Sequence, residues 1–452
     1  MSKILRSLIS HIAFPLHELL KGHNSTARRK QLEMSQWLSA EDLKKLQNRN
    51  LNSFINQVYL QVPYYRQLMQ QRNLLPSQIS SAEDLVCLPF LTKADIGSHF
   101  EQLRAHNASK LKRYNTGGSS GQPLIFLIDK QRVSHDVAAK WRATRWWGVD
   151  IGDKEIVAWG SPIELGAQDK LRLWRDRLFR SSLIPAFDLT EQKLLQFLVQ
   201  IQTSKPAMLF GYPSVFYLMA QTAQQQQIDM TQLGIKVVFV TSERLYPYQR
   251  ELIQQVFGAP VANGYGGRDA GFIAHECPAG NMHISAEDII VEIIGADEKP
   301  VATGQSGEIV VTHLATGAFP FIRYRTGDIG SLSEQPCSCG RCLPVLATVE
   351  GRSTDFVVAA NGTKMHGLAL IYILRDIPGI AAFKIIQHSL SLTTVQLVWP
   401  EGLLPEEVNR RIRTAFNARL GAEVQIEIEQ LDEIGPEKSG KFRYVISKVC
   451  NP

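Results

Sequence analysis

Four short segments of this 452-residue chain gather residue types that handle phosphate, sugar hydroxyls and developing charge. The first is Tyr114-Asn115-Thr116-Gly117-Gly118-Ser119-Ser120-Gly121-Gln122-Pro123. Three glycines, two serines and a threonine in one loop can turn several N–H groups and hydroxyls toward one anion, most naturally a phosphate. It lacks the Gly-Lys-Ser/Thr ending of common phosphate loops. A different kind of nucleotide enzyme is therefore implied, with a plain Gly/Ser turn as the bland alternative. The second is Ala262-Asn263-Gly264-Tyr265-Gly266-Gly267-Arg268-Asp269, a strand running into an aromatic, glycines and a carboxylate. Tyr265 suits stacking on a base, the two glycines after it, Gly266 and Gly267, allow close approach, and Asp269 suits Mg²⁺. A strand-end turn with a surface salt bridge accounts for the segment equally well.

In the third segment, Tyr324-Arg325-Thr326-Gly327-Asp328, an aspartate follows what reads as a tight glycine turn. Its two oxygens can accept from both ribose hydroxyls; alone, the segment also reads as a hairpin turn. The fourth, Gly435-Pro436-Glu437-Lys438-Ser439-Gly440-Lys441-Phe442-Arg443, sets Lys441 in a glycine-rich turn near the C-terminus. Carried by a small second domain, such a lysine can offset charge developing between a carboxylate and a phosphate. The alternative is an exposed basic tail.

These segments need a scaffold, and the sequence predicts a layered one. The first 105 residues read as mainly helical; Ser39-Ala40-Glu41-Asp42 is a helix start followed by apolar residues at helical spacing from Leu43 to Val58. Short apolar runs at Ala207–Gly211, Val237–Val240 and Val261–Gly264 alternate with helical stretches. That alternation predicts an α/β fold with parallel sheet and ligands at the strand C-terminal ends. Asp288–Ile294 and Gly307–Val311 read as further strands, plausibly antiparallel. Beyond a polar break at Gly351-Arg352-Ser353-Thr354-Asp355, a strand-and-helix texture of its own runs to the end. The expectation is a large multi-subdomain domain over 1–351 and a small mobile α+β domain over 352–452.

Composition narrows the class. With 44% hydrophobic residues, 20% charged residues and a net charge of +6, the chain reads as globular and mildly basic. That suits an anionic ligand and is too diffuse for nucleic acid. Lys170 to Arg180 is rich in arginine and reads first as a solvated helix face, with contact to a membrane surface as the sharper option. The apolar N-terminal segment, broken by His11, Pro15, His17 and Glu18, is a poor signal peptide. It is expected to pack on its own domain, with peripheral membrane contact as the alternative, and a cytoplasmic protein is expected. Four of six cysteines fall between Cys277 and Cys342, in Cys277…His283 and Cys337-Ser338-Cys339-Gly340-Arg341-Cys342. Thiolates and an imidazole in two such clusters suit tetrahedral Zn²⁺.

Taken in order, the four segments and the Gly351-Arg352-Ser353-Thr354-Asp355 break resemble the adenylate-forming enzymes: acyl-coenzyme A synthetases, peptide-synthetase adenylation domains and luciferases. Ser35-Gln36-Trp37-Leu38-Ser39 and Val62-Pro63-Tyr64-Tyr65-Arg66 resemble the branch of phenylacetate–coenzyme A ligases and capsule-biosynthesis relatives. The resemblance implies that ATP and a small-molecule carboxylic acid give an acyl-adenylate and pyrophosphate, and that an acceptor, commonly coenzyme A, then takes the acyl group. It implies that Thr116, Gly117, Gly118, Ser119, Ser120 and Gly121 cradle phosphates. Gly264, Tyr265 and Gly266 would line the adenine, Asp328 and Arg352 the ribose, Asp269 would hold Mg²⁺, and Lys441 would bridge carboxylate and α-phosphate. Asp355 matches the hinge about which the small domain turns.

By family position, Trp159, Gly160, Tyr212 and Ser242 line the acyl pocket, although both aromatics read equally well as core. The branch also implies Cys277, His283, Cys337 and Cys339 as ligands of a structural zinc, with Cys342 and His275 as spares. Homodimers are common in such families. Two departures stand out: Arg268-Asp269 where many relatives have Ser/Thr-Glu, and Gln122 where a lysine often follows the loop. They keep two alternatives open: an amide or ester ligase of polysaccharide or lipid modification, and a nucleotide-binding protein without turnover.

Overall fold

In the computed structural model, residues 2–115, 124–159, 170–186, 189–349, 356–400, 402–434 and 445–449 are described. The phosphate-loop residues Thr116 to Gly121, Gly160, Arg352, Asp355 and Lys441 lie outside them.

The lead-in is helical, as its patterning predicts. Its longest helix, Ala40–Gln61, is capped by Ser39, whose hydroxyl accepts from the Asp42 N–H. Leu43, Leu51, Phe54, Ile55 and Val58 form its buried stripe. That stripe packs into a core shared with Ile289, Ile309, Val311, Phe321 and Tyr324.

Among the described residues, Lys112–Asn115 pairs with Ile125–Ile128 in a separate antiparallel ribbon, and eleven strands of the large domain form one mixed sheet. From one edge its order is Ser181–Pro185, Glu155–Trp159, Met208–Gly211, Val237–Thr241 and Val261–Gly267, all parallel. It continues antiparallel through Gly271–Glu276, Met282–Ile284, Val345–Val349, Phe321–Leu332, Gly307–His313 and Ile289–Ile294. Helices Glu191–Ser204, Pro213–Gln225 and Pro247–Phe257 follow three of the parallel strands and bury Leu198, Phe216 and Ile253 against the sheet. The change from parallel to antiparallel falls at the turn between Val261–Gly267 and Gly271–Glu276, which carries Arg268 and Asp269.

Residues 356–449 have a core of their own, with Val357, Leu370, Phe383, Ile385, Leu397, Ile412 and Phe416 buried together. The helix Glu406–Leu420 accompanies a four-stranded sheet ordered Gln425–Gln430, Leu392–Val398, Ala382–Gln387, Val445–Ser447. No helix among the described residues is long and apolar enough to cross a membrane.

Candidate functional site

Two of the predicted carboxylates meet at the parallel-to-antiparallel switch, each held by a tyrosine from the other's segment. The Tyr265 hydroxyl donates to Asp328 Oδ2 at 2.9 Å, and the Tyr324 hydroxyl donates to Asp269 Oδ2 at 2.7 Å. Burial, and after it the Asp328 charge, pushes the Tyr265 phenol well above its ordinary value, so it stays a donor. Asp269 Oδ1 also accepts the Ala270 N–H at 3.0 Å. Both oxygens of the expected Mg²⁺ ligand therefore have protein donors. Asp328 does not follow a tight turn. It lies inside the twelve-residue strand Phe321–Leu332, where Gly327 (φ 77°) kinks the chain at a register shift against Gly307–His313. Gly266 is needed for closeness: a Cβ there would stand 2.1 Å from the Gly271 carbonyl oxygen across the strand pair.

Sequence reasoning missed what sits beneath this turn. Arg132, fully buried on the helix Lys130–Trp146, donates to the carbonyl oxygens of Asp269 (3.2 Å) and Arg268 (3.3 Å). Its Nε donates to Asp136 one helical turn on, at 3.0 and 3.1 Å. His135 and His313 stand edge to face beside that carboxylate, ring centroids 4.8 Å apart, and His135 Nε2 lies 3.3 Å from Asp288. Burial alone would raise the Asp136 carboxyl; Arg132, with His135 and His313 beside it, instead holds it well below the usual range. Burial and the Arg132 charge push His313 down to about 3. Gly271 (φ 87°) lets the strand pass, because a Cβ would stand 2.7 Å from His313 Nε2 and 2.9 Å from Arg132 Nη2. The only available signal was Arg132 and Asp136 at i,i+4, which ordinarily marks an exposed helix pair.

His135, Asp136 and His313 also have the spacing of a metal site, but their chemistry is wrong for one. His313 Nδ1 accepts the Ala315 N–H at 3.2 Å, so the ring proton sits on Nε2, the nitrogen facing Asp136. The guanidinium of Arg132 already supplies the cation.

Of the expected acyl-pocket residues, Trp159, Tyr212 and Ser242 lie at the C-terminal ends of parallel strands. The Trp159 and Tyr212 rings stack at 4.6 Å with 21° between planes, and Trp159 continues onto Phe210 at 6.2 Å. Ser242, exposed at the end of Val237–Thr241, has a left-handed φ of 73°. That is a costly conformation for serine and is found most often at functional turns.

The cysteine cluster gathers as its spacing predicts. The ligand atoms of Cys277, His283, Cys337 and Cys339 all lie within 4.8 Å of one another. Cys277 Sγ and Cys337 Sγ are 3.6 Å apart, and His283 Nε2 is 3.2 Å from Cys339 Sγ. His283 Nδ1 meets the Leu343 carbonyl at 3.0 Å, which protonates Nδ1 and leaves the Nε2 lone pair facing the sulfurs. The Asn281 side chain and the Cys339 N–H both donate to Cys337 Sγ, at 3.3 and 3.4 Å. Burial pushes the Cys277 thiol up to about 12, so a thiolate there needs a cation beside it. Three sulfurs and one imidazole nitrogen fit tetrahedral Zn²⁺. Cys342 is exposed and outside the cluster; His275 is buried against Phe272 and is not among the four.

A family model described as the CapK C-terminal domain matches residues 357–448. Protein CapK of Staphylococcus aureus is 23% identical over 420 residues, 92% of each chain. Phenylacetate-coenzyme A ligase of Thermus thermophilus is 24% identical over 397 residues, covering 86% of this chain and 85% of that one. Among solved structures, 2-hydroxyisobutyryl-CoA ligase in complex with 2-HIB-AMP and CoA in its thioesterification state matches with a TM-score of 0.64. It is 21% identical, over 92% of this chain and 91% of that chain, a likeness of fold. The chain thus carries a CapK-type C-terminal segment over 357–448 and is similar along nearly its whole length to CapK and to phenylacetate–coenzyme A ligases, with the fold of an adenylate-forming coenzyme A ligase.

Proposed function

We propose that this protein activates a carboxylic acid with ATP and passes the acyl group to coenzyme A. The observation that carries the reading is the reciprocal pair of hydrogen bonds, Tyr265 to Asp328 and Tyr324 to Asp269, at the switch point of the sheet. In open α/β sheets ligands bind outside the carboxyl ends of the parallel strands, and this pair lies at the carboxyl end of the last parallel strand, Val261–Gly267. On this reading the substrate carboxylate attacks the α-phosphorus, a P–O bond to it forms, and the bond to pyrophosphate breaks. Positioning and charge stabilisation govern such a step. Asp328, with Oδ2 held by Tyr265, receives a ribose hydroxyl. Thr116 to Gly121 cradle the β- and γ-phosphates, Arg352 reaches the ribose, and Lys441 bridges carboxylate and α-phosphate. Trp159, Gly160, Tyr212 and Ser242 line the acyl crevice. Mg²⁺, when bound beside Asp269, neutralises phosphate charge. Cys277, His283, Cys337 and Cys339 hold a structural Zn²⁺; four protein ligands leave it no open position. The small domain from 352 onward turns about Asp355 between the half-reactions.

ATP–pyrophosphate exchange against short hydroxy acids, fatty acids, aryl acids and amino acids tests this. Exchange with one class is expected, and Lys441→Ala should abolish it while leaving ATP binding and the use of a supplied acyl-adenylate nearly intact. Exchange without any thioester product would replace coenzyme A by an amine or hydroxyl acceptor. ATP binding without exchange for any acid would favour the reading without turnover, for which the double engagement of Asp269 is the supporting observation.

A further inference from the structure

We propose that the N-terminal helix seats this protein on an anionic lipid surface. Ser2–Leu8 and Phe14–Lys21 are joined by a π-helical turn, Ile9–Ala13, into one rod. Its inner side buries Ile9, Phe14 and the carboxylate of Glu18, with Ile9 and Phe14 packed on Ile151, Trp141 and Phe179. Its outer side carries Ile4, Leu8, Ile12, Leu16, Leu19 and Leu20, all exposed. Ile4, Leu19 and Leu20 retain 78%, 72% and 80% of their surface. A helix that merely covered its own domain would turn its apolar stripe inward and its charges outward. This one turns its single acid inward and its leucines outward. A row of residues four apart drifts by about 40° per step on an α-helix. The wider π turn takes up that drift and keeps the row on one face.

The patch continues onto a second element. Phe179, just beyond the helix Lys170–Leu178, packs edge-on against Phe14 with ring centroids 5.6 Å apart. That helix exposes Trp174 (71%) and Leu178. An aromatic with a polar edge beside aliphatic side chains is the usual composition at the headgroup boundary. Basic residues outnumber acidic ones in the two segments, although Arg6 is paired with Asp153 and Arg175 with Asp176. Residues 2–21 contain Lys3, Arg6 and Lys21 against the buried Glu18 alone, and residues 170–180 contain five Lys or Arg against Asp176 alone. Lys21 and Arg177 are exposed. An apolar face ringed by basic groups fits an anionic bilayer. A second copy laid on the same face would set the basic groups of both against each other.

The test is co-sedimentation of the full chain with vesicles of equal parts phosphatidylglycerol and phosphatidylcholine, and with phosphatidylcholine alone, with chain mass followed by light scattering. The wild type should pellet with the anionic vesicles, several-fold less with the neutral ones, and less as salt is raised. Leu8→Gln/Ile12→Gln/Leu19→Gln should weaken binding about tenfold or more at unchanged melting temperature and mass. A wild type left in the supernatant with anionic vesicles overturns the proposal, as does a triple variant that binds equally well. A wild-type dimer that ignores vesicles and dissociates on the triple substitution assigns the face to a second copy instead.

Discussion

Two buried clusters in this protein each bring histidine together with thiol or acid side chains within 4.8 Å, and they differ in where the positive charge comes from. Around Asp136 it is built in: Arg132 reaches the carboxylate from one turn away and spends its remaining N–H groups on the carbonyls of Arg268 and Asp269. Around Cys277 it is only partial: three sulfurs and the His283 Nε2 lone pair converge, and Arg341 reaches Cys339, while burial pushes the Cys277 thiol up to about 12. Burying charge requires a partner. One cluster carries its partner in the sequence, which ties the fold directly to the Asp269 turn; the other, on the proposed function, takes a metal ion from solution, which would tie the fold to metal supply.

The largest effect that separates the clusters is expected from Arg132→Met. It leaves Asp136 buried without its cation and should cost about 3–5 kcal/mol of stability. Zinc content should stay full and the KM for ATP should rise, because the carbonyls behind Asp269 lose their anchor. Denaturant midpoints, metal analysis and exchange kinetics read the three; an unchanged midpoint would show the cluster to be looser than its geometry. Next in size is Cys337→Ser. It should lower zinc content and take the melting temperature down by a few degrees while leaving exchange kinetics nearly unchanged. Full zinc occupancy with an unmoved melting curve would strike Cys337 from the ligand set.

The smallest effect concerns acid. His313 is held down to about 3 when folded and returns to about 6.5 when unfolded, so the unfolded chain takes up a proton first. Its contribution to stability is complete above about 6.5 and declines by roughly 1.4 kcal/mol per pH unit as pH falls toward about 3. Asp136 acts in the same direction lower down, since its depressed carboxyl stabilises the fold only above the ordinary aspartate range. His313→Asn should flatten the decline between pH 6.5 and 5. A wild-type midpoint that is already level over that window would mean that His313 is protonated in the fold.

Much of the scaffold was legible in the residues. The helix after Ser39 and the strands at 208–211, 237–241 and 261–267 declare themselves by capping residues and apolar runs. The cysteine cluster was legible because ligand chemistry is written in residue type. Three things were not. Asp328 read as the end of a turn, because a glycine kink inside a long strand leaves the same local signature. The Arg132 cluster joins a helix to His313, a partner 181 residues on, and periodicity carries no information about that pairing. The apolar N-terminal segment was expected to pack on its own domain, with peripheral membrane contact as the alternative, and only the placement of Ile9 and Phe14 reveals which side was left outside.

The exchange of tyrosines between Asp269 and Asp328 bears on how such a chain can vary over time. The paired residues stand 63 and 55 positions apart, yet each carboxylate depends on a hydroxyl encoded in the other's motif. Replacing either tyrosine is felt at the distant aspartate rather than at its own neighbour. Selection therefore acts on the two short motifs as one heritable unit, and a chimera that takes only one of them from a relative inherits half of each contact.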